Sequence, residues 1–132
     1  MASANLELVQ ALIEAWNRQD DDSVLKLLST DVELDASGRV FNPDVYRGVD
    51  GLKRFRREIA EPWDRFQLDI EELLESGAQV VVYVRSIGRG RASGVEIDVR
   101  SAWLVTVSGH KISRLRLYRD REEALRAVGL AK

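Results

Sequence analysis

Cysteine is absent from the 132-residue chain and histidine occurs once, at His110. The first absence excludes disulfides, thiolate nucleophiles and cysteine-ligated zinc or iron–sulfur centres. The second confines any Ser-His-Asp triad to one residue and excludes a multi-histidine metal site, so no metal or cofactor is expected. Long hydrophobic runs are also missing. The longest apolar run spans five residues, Val80 to Val84, whereas a membrane-spanning helix needs about 20. With no signal-peptide pattern either, a cytoplasmic location and no membrane partner are expected. An excess of one charge is lacking as well. Twenty basic residues stand against 22 acidic ones, for a net charge of −2. That balance argues against a nucleic-acid partner.

What is present reads as one globular domain over residues 1–132, with 45% hydrophobic and 32% charged residues. Leu6, Val9, Leu12, Ile13 and Trp16 recur at three- and four-residue steps, one stripe of a helix. The run Asp20-Asp21-Asp22-Ser23 supplies N-cap candidates for a second helix through Val24, Leu25, Leu27 and Leu28. Val32, Leu34 and Ala36 alternate with Glu33 and Asp35 as a half-buried strand ending at Ser37-Gly38. A loop through Asn42-Pro43-Asp44 comes next. Val49, Leu52, Phe55 and Ile59 then share a helical face that Pro62 ends.

From residue 66 the period is two, with Phe66, Leu68 and Ile70 on one face. The phase slips at Glu71-Glu72, which predicts a β-bulge. Strands are predicted over 79–88, 95–107 and 111–119, divided by glycine-containing turns, and Asp120 and Glu123 predict a capped C-terminal helix stopped by Gly129. Tight turns make neighbouring strands antiparallel. The fold class is therefore α+β, with helices on one face of a curved antiparallel sheet.

Alternation in the long strand assigns the faces. Val95, Ile97, Val99, Ser101, Trp103, Val105 and Val107 point toward the helices, and Glu96, Asp98, Arg100, Ala102, Leu104 and Thr106 point away. Arg85, Arg114 and Arg116 fall on the outer face too, so these charges read as a cross-strand ladder rather than a catalytic cluster. A register shifted by one residue would turn Asp98 and Arg100 inward, with Asp35 as a further candidate. It would also bury charge and expose Ile97, Val99 and Val105. Tyr83, Leu104 and Tyr118 interleave with the ladder, as suits a homodimer surface. His110 falls in a hairpin turn. Lys53, Arg54, Arg56 and Arg57 read as a solvated helix face, and the glycines of Arg89-Gly90-Arg91 serve the turn.

Several stretches carry a resemblance. They are Ala15-Trp16-Asn17-Arg18-Gln19-Asp20, Tyr46-Arg47-Gly48, the Gly88–Gly94 turn, and Gly109-His110-Lys111-Ile112 running on through Leu117-Tyr118-Arg119-Asp120 to Glu123-Ala124-Leu125. In this order they resemble the SnoaL-like domains of the nuclear transport factor 2-like superfamily. The resemblance implies a cone-shaped sheet wrapped around N-terminal helices, a deep central apolar pocket, and homodimers in many members. It does not carry over a reaction. Ketosteroid isomerase donors and base fall on Leu12, Ala36 and Ala102 or Trp103. The arginine and aspartates of epoxide-hydrolase-like relatives fall on Val84, Ser86 and Leu117, and the cyclase histidine falls on Trp103.

The inward set defines an expected pocket of Ile13, Trp16, Leu34, Val84, Val99, Trp103, Leu115 and Leu117, with Ser86 and Ser101 as its polar points. Its expected partner is a small apolar molecule. The alternatives are an isomerase, cyclase or epoxide hydrolase acting on a hydrophobic polyketide, terpenoid or steroid-like substrate, and a dimerisation module using the outer sheet face. For the enzyme reading, Asp44, Tyr46 and Arg47 are the catalytic candidates, expected at the pocket mouth.

Overall fold

The computed structural model describes residues 3–37 and 44–129. The turn at Gly38 and the Asn42-Pro43 pair lie outside the described residues. The chain begins with α1 (Ala4–Asn17), α2 (Asp21–Leu27) and β1 (Leu28–Asp35), continues through β2 (Val45–Arg47) and α3 (Gly48–Ala60), and then forms β3 (Trp63–Ser76) and β4 (Gln79–Gly90). It finishes with β5 (Glu96–Ser108), β6 (Lys111–Tyr118) and α4 (Arg121–Ala127). None of these helices is long and apolar enough to cross a membrane.

Capping residues set the helix starts. Ser3, Asp20 and Asp120 each accept a hydrogen bond from a first-turn amide, of Leu6, Ser23 and Glu123 respectively. Gly129 closes the last helix in the left-handed region, at φ +74°. Three boundaries differ from the sequence reading. Leu28 opens β1 rather than extending α2, and β3 begins at Trp63 rather than at residue 66. The loop before α3 also contains β2, a three-residue strand too short to show a period.

The six strands form one sheet in the order β2-β1-β6-β5-β4-β3. Strands β3 to β6 are antiparallel neighbours, as their short turns require. The sheet is not antiparallel throughout. β1 lies parallel to β6, with Leu34 beside Leu115, because the two strands are linked by the whole intervening chain rather than by a hairpin. The predicted bulge is present. Ile70 pairs with Val84 and Glu72 with Tyr83, so Glu71 is the extra residue and both glutamates stay off the core face.

The curved sheet packs its inner face on α1 and α3, where Val9, Leu12, Leu52 and Phe55 meet Val82, Val105 and Ile112. The register follows the alternation read from sequence. Trp103 and Val105 belong to this inner core, whereas Asp98 and Arg100 are exposed on the other side. The outer face differs from expectation at its centre. α4 lies across it, and Ala124 packs with Val81, Tyr83, Ala102 and Leu104 in a second cluster. Tyr83 and Leu104, assigned from sequence to a dimer surface, are each 7% exposed within the single chain. Arg121 stacks on the Tyr83 ring at 4.6 Å and pairs with Glu72.

Candidate functional site

A cavity of about 520 Å³ opens between the inner sheet face and the helices. α1 contributes Trp16, α3 contributes Phe55 and Ile59, and β3 contributes Trp63, Phe66 and Leu68. Ser86 comes from β4, Ile97, Val99, Ser101 and Trp103 from β5, and Leu117 from β6. Alternate residues of β5 form most of its share of the wall because successive side chains of a strand face opposite sides, and Arg100, Tyr118 and Arg119 join them at the rim.

The aromatic wall is ordered by ring contacts. Trp16 meets Trp103 edge-on at 6.5 Å between ring centres and Phe55 at 5.7 Å. The Arg56 guanidinium covers Trp16 at 4.3 Å and is fixed by Asp21 at 2.6 Å. Trp63 and Phe66 pack at 6.1 Å on the β3 side. Two serine hydroxyls interrupt the apolar inner wall, and Arg100, Tyr118 and Arg119 complete the lining. Ser86 pairs in register with Val99, and Ser101 with Val84, so the serines are diagonal neighbours on the inner face. Neither hydroxyl has a hydrogen-bond partner among the described residues. The cavity is open at the β5 end, where Val99 is 52% exposed.

Of the ten residues expected to form the pocket, Trp16, Ser86, Val99, Ser101, Trp103 and Leu117 line this cavity. Ile13, Leu34, Val84 and Leu115 do not. They are buried in the close-packed layer of the core, at 4% exposure or less. Sequence reasoning missed the contribution of α3 and β3. The signal was there for Phe55, Ile59, Phe66 and Leu68, whose periodicity already put them inward. Trp63 had none, because Pro62 marks the end of a helix without specifying the element after it.

Asp44, Tyr46 and Arg47 were expected at the mouth, and the structure places them elsewhere. None of the three lines the cavity. The Tyr46 ring, 1% exposed, sits one layer behind Phe55 at 5.1 Å, and its hydroxyl donates to Glu58 at 2.6 Å. Burial and that hydrogen bond push the Tyr46 phenol up to about 12. Arg54 stacks on the same ring at 4.2 Å and binds Asp44 at 3.0 Å. That bond and the Val45 amide hold the Asp44 carboxyl below its ordinary range. Arg47 turns to Glu33, 3.8 Å away.

The outer-face charges form the ladder the alternation implied. Arg85 grips Asp98 with two hydrogen bonds of 2.7 and 2.5 Å, and Arg100 binds Glu71 at 3.0 Å. Arg114 and Arg116 both approach Asp35, at 3.7 and 3.8 Å. His110 is exposed in the β5–β6 turn with a left-handed backbone, φ +64°. At the β4–β5 turn Gly90 donates to the Val95 carbonyl and Gly94 to the Gly90 carbonyl. A Cβ on Gly90 would fall 2.6 Å from the Ser93 hydroxyl, so a larger residue there would displace that side chain and its bond from the Val95 amide. Among the described residues no cluster of three or more His, Asp or Glu side chains is arranged to hold a metal ion.

Comparison with known proteins accounts for this architecture. An uncharacterized protein of Mycobacterium tuberculosis is 32% identical over 113 residues, covering 85% of this chain and 86% of that one. An NTF2-like protein of unknown function from Burkholderia pseudomallei superposes with a TM-score of 0.80 at 21% identity, over 97% of this chain and 99% of that one. A Jannaschia protein named as a SnoaL-like polyketide cyclase superposes with a TM-score of 0.77 at 21% identity, over 98% and 93%. The cone of sheet and helices is the fold of that NTF2-like protein, and the profile of the SnoaL-like domain matches residues 9–115, so the chain belongs to the SnoaL-like domain family.

Proposed function

We propose that the protein binds a small, largely apolar cyclic molecule in the cavity between Trp16, Trp63 and Trp103. The observation that carries this reading is a cavity of about 520 Å³ lined by aromatic and aliphatic side chains, with two unpartnered hydroxyls, Ser86 and Ser101, on one wall. Ligand sites commonly have a volume of roughly 300–1,000 Å³, with an apolar lining and a few polar groups that orient the ligand. Neighbouring hydroxyls on a rigid sheet suit a carbonyl or hydroxyl of such a molecule. Asp44, Tyr46 and Arg47 are engaged with their own partners away from the cavity, and this supports binding rather than turnover by those groups.

The test is tryptophan fluorescence and melting temperature against a panel of steroid-, terpenoid- and polyketide-like rings, with Ser101→Phe as the filled-cavity control. A saturable response to one chemical class, absent in folded Ser101→Phe, is the expected result. A folded wild-type protein that responds to no member of the panel, in either measurement, would overturn the reading.

A further inference from the structure

The charges around the cavity are of one sign. Its lining includes Arg100 and Arg119 and no aspartate or glutamate. These two arginines are in different situations. Arg100 lies on the outward phase of β5 and is held on the outer face by Glu71. Arg119 directly follows β6, exposed at the cavity rim beside Leu117 and Tyr118. Arg85, Arg100, Arg114 and Arg116, on the outer face of the same sheet, each meet a carboxylate. Arg119 has no ion-pair partner among the described residues.

The surroundings of Arg119 point the same way. Leu117, Tyr118 and Arg119 also line an adjoining shallow cleft, which adds Arg116 and Arg126 against the single acid Glu123. The other end of the cavity is different. Beyond the wall of Trp16, Ile59, Trp63 and Phe66 lies a second cleft with acids and bases in near balance. There Arg56 is bound to Asp21, and Arg91 donates to the carbonyls of Glu61 and Trp63. An apolar cavity with an unpaired guanidinium at one end selects a molecule that is apolar along its length and anionic at one terminus. The guanidinium fork matches a carboxylate with two parallel hydrogen bonds, at an exposed place on the cavity rim where salt screens the attraction.

We infer that the ligand is an amphipathic acid, with its ring system in the cavity and its carboxylate, or an equivalent anionic oxygen pair, held by Arg119. This rests on the cavity being a ligand site, as proposed above.

The experiment compares naphthoate and phenanthrenecarboxylate with the matching carboxamides, by calorimetry at low and high salt, on wild type, Arg119→Gln and Arg119→Glu. Arg126→Gln serves as a control for general surface charge. In wild type the acids are expected to bind roughly ten-fold more tightly than the amides, with a preference that shrinks as salt rises. Arg119→Gln should abolish that preference while leaving amide affinity within about two-fold, Arg119→Glu should disfavour the acids further, and Arg126→Gln should change neither. Equal binding of acid and amide by wild type, or an acid preference that survives in Arg119→Gln, overturns the inference and leaves the cavity reading intact. Failure of acids, amides and the neutral ring panel alike to bind wild type overturns both.

Discussion

The side chain of Asn17 completes the backbone of Leu68 as another strand would. Its amide donates to the Leu68 carbonyl at 2.8 Å, and its carbonyl accepts from the Leu68 amide at 2.9 Å. One side chain thus ties the end of α1, which carries Trp16, to β3, which carries Phe66 and Leu68. Replacing it leaves a partly buried donor and acceptor unmatched. Asn17→Ala should lose about 1–3 kcal/mol in urea unfolding with an unchanged m-value, and Asn17→Asp, which lacks the donor, should lose a similar amount.

Ser86 and Ser101 separate binding from stability. Their hydroxyls have no hydrogen-bond partner among the described residues, so Ser86→Ala and Ser101→Ala should unfold within about 0.5 kcal/mol of wild type. Affinity for a ligand identified in the ring panel should fall several-fold in at least one of them. Thermal melts with and without ligand check both halves. A large stability loss without ligand would show that these hydroxyls belong to the core.

Tyr46 makes stability sensitive to alkali. Its phenol is pushed up to about 12 in the folded protein, whereas an unfolded tyrosine titrates near about 10. A raised pKa contributes stability that is complete below the unfolded value and is lost as pH rises through the folded one. The melting temperature should therefore fall between about pH 10 and 12, and Tyr46→Phe should flatten that fall. The variant should also lose about 1 kcal/mol at neutral pH through the missing bond to Glu58.

Asp35 acts at the other end of the pH scale. Burial raises its pKa, but the hydroxyl and amide of Ser37, with Arg116 and Arg114, outweigh that and hold the carboxyl below its ordinary range. A lowered pKa stabilises above the unfolded value, near about 4, and the contribution disappears as pH falls through the folded value. Asp35→Asn should be less stable than wild type at neutral pH, with the gap closing below about pH 4. Parallel curves for the two proteins down into acid would count against this assignment.

Trp103 and Asp98 show why the faces of β5 were legible. The uncharged odd-numbered positions from Val95 to Val107 alternate with Glu96, Asp98 and Arg100 on the even ones, and no other register keeps those charges in water. Glu71 and Glu72 marked the bulge for the same reason, since two adjacent carboxylates cannot straddle a strand with one buried face. Other features leave no local pattern. The pairing of Leu34 with Leu115 joins residues far apart in sequence, so no turn or period announces it. Tyr46 sits in a strand of three residues, too short to alternate. The burial of Tyr83 and Leu104 depends on where α4 lands, and a seven-residue helix does not disclose its resting place in its own sequence. The cavity was half legible in consequence. Inward phase separates wall from surface, but only the curvature of the sheet separates lining residues such as Trp103 from packed ones such as Val84.

The parallel seam between β1 and β6 has a temporal consequence. Every other junction of the sheet joins strands adjacent in the chain, whereas this one waits for the penultimate element. During synthesis α1–α3 and β1–β2 emerge first, and β1 has no neighbour in the main sheet until Lys111–Tyr118 has left the ribosome. Assembly is thus expected in the reverse of chain order, with the β3–β6 meander forming before the N-terminal third docks. Pulse-labelled hydrogen exchange should then show amides of Val81–Val84 protected earlier than those of Val32 and Leu34, and a chain halted before residue 111 should leave its first strand unprotected.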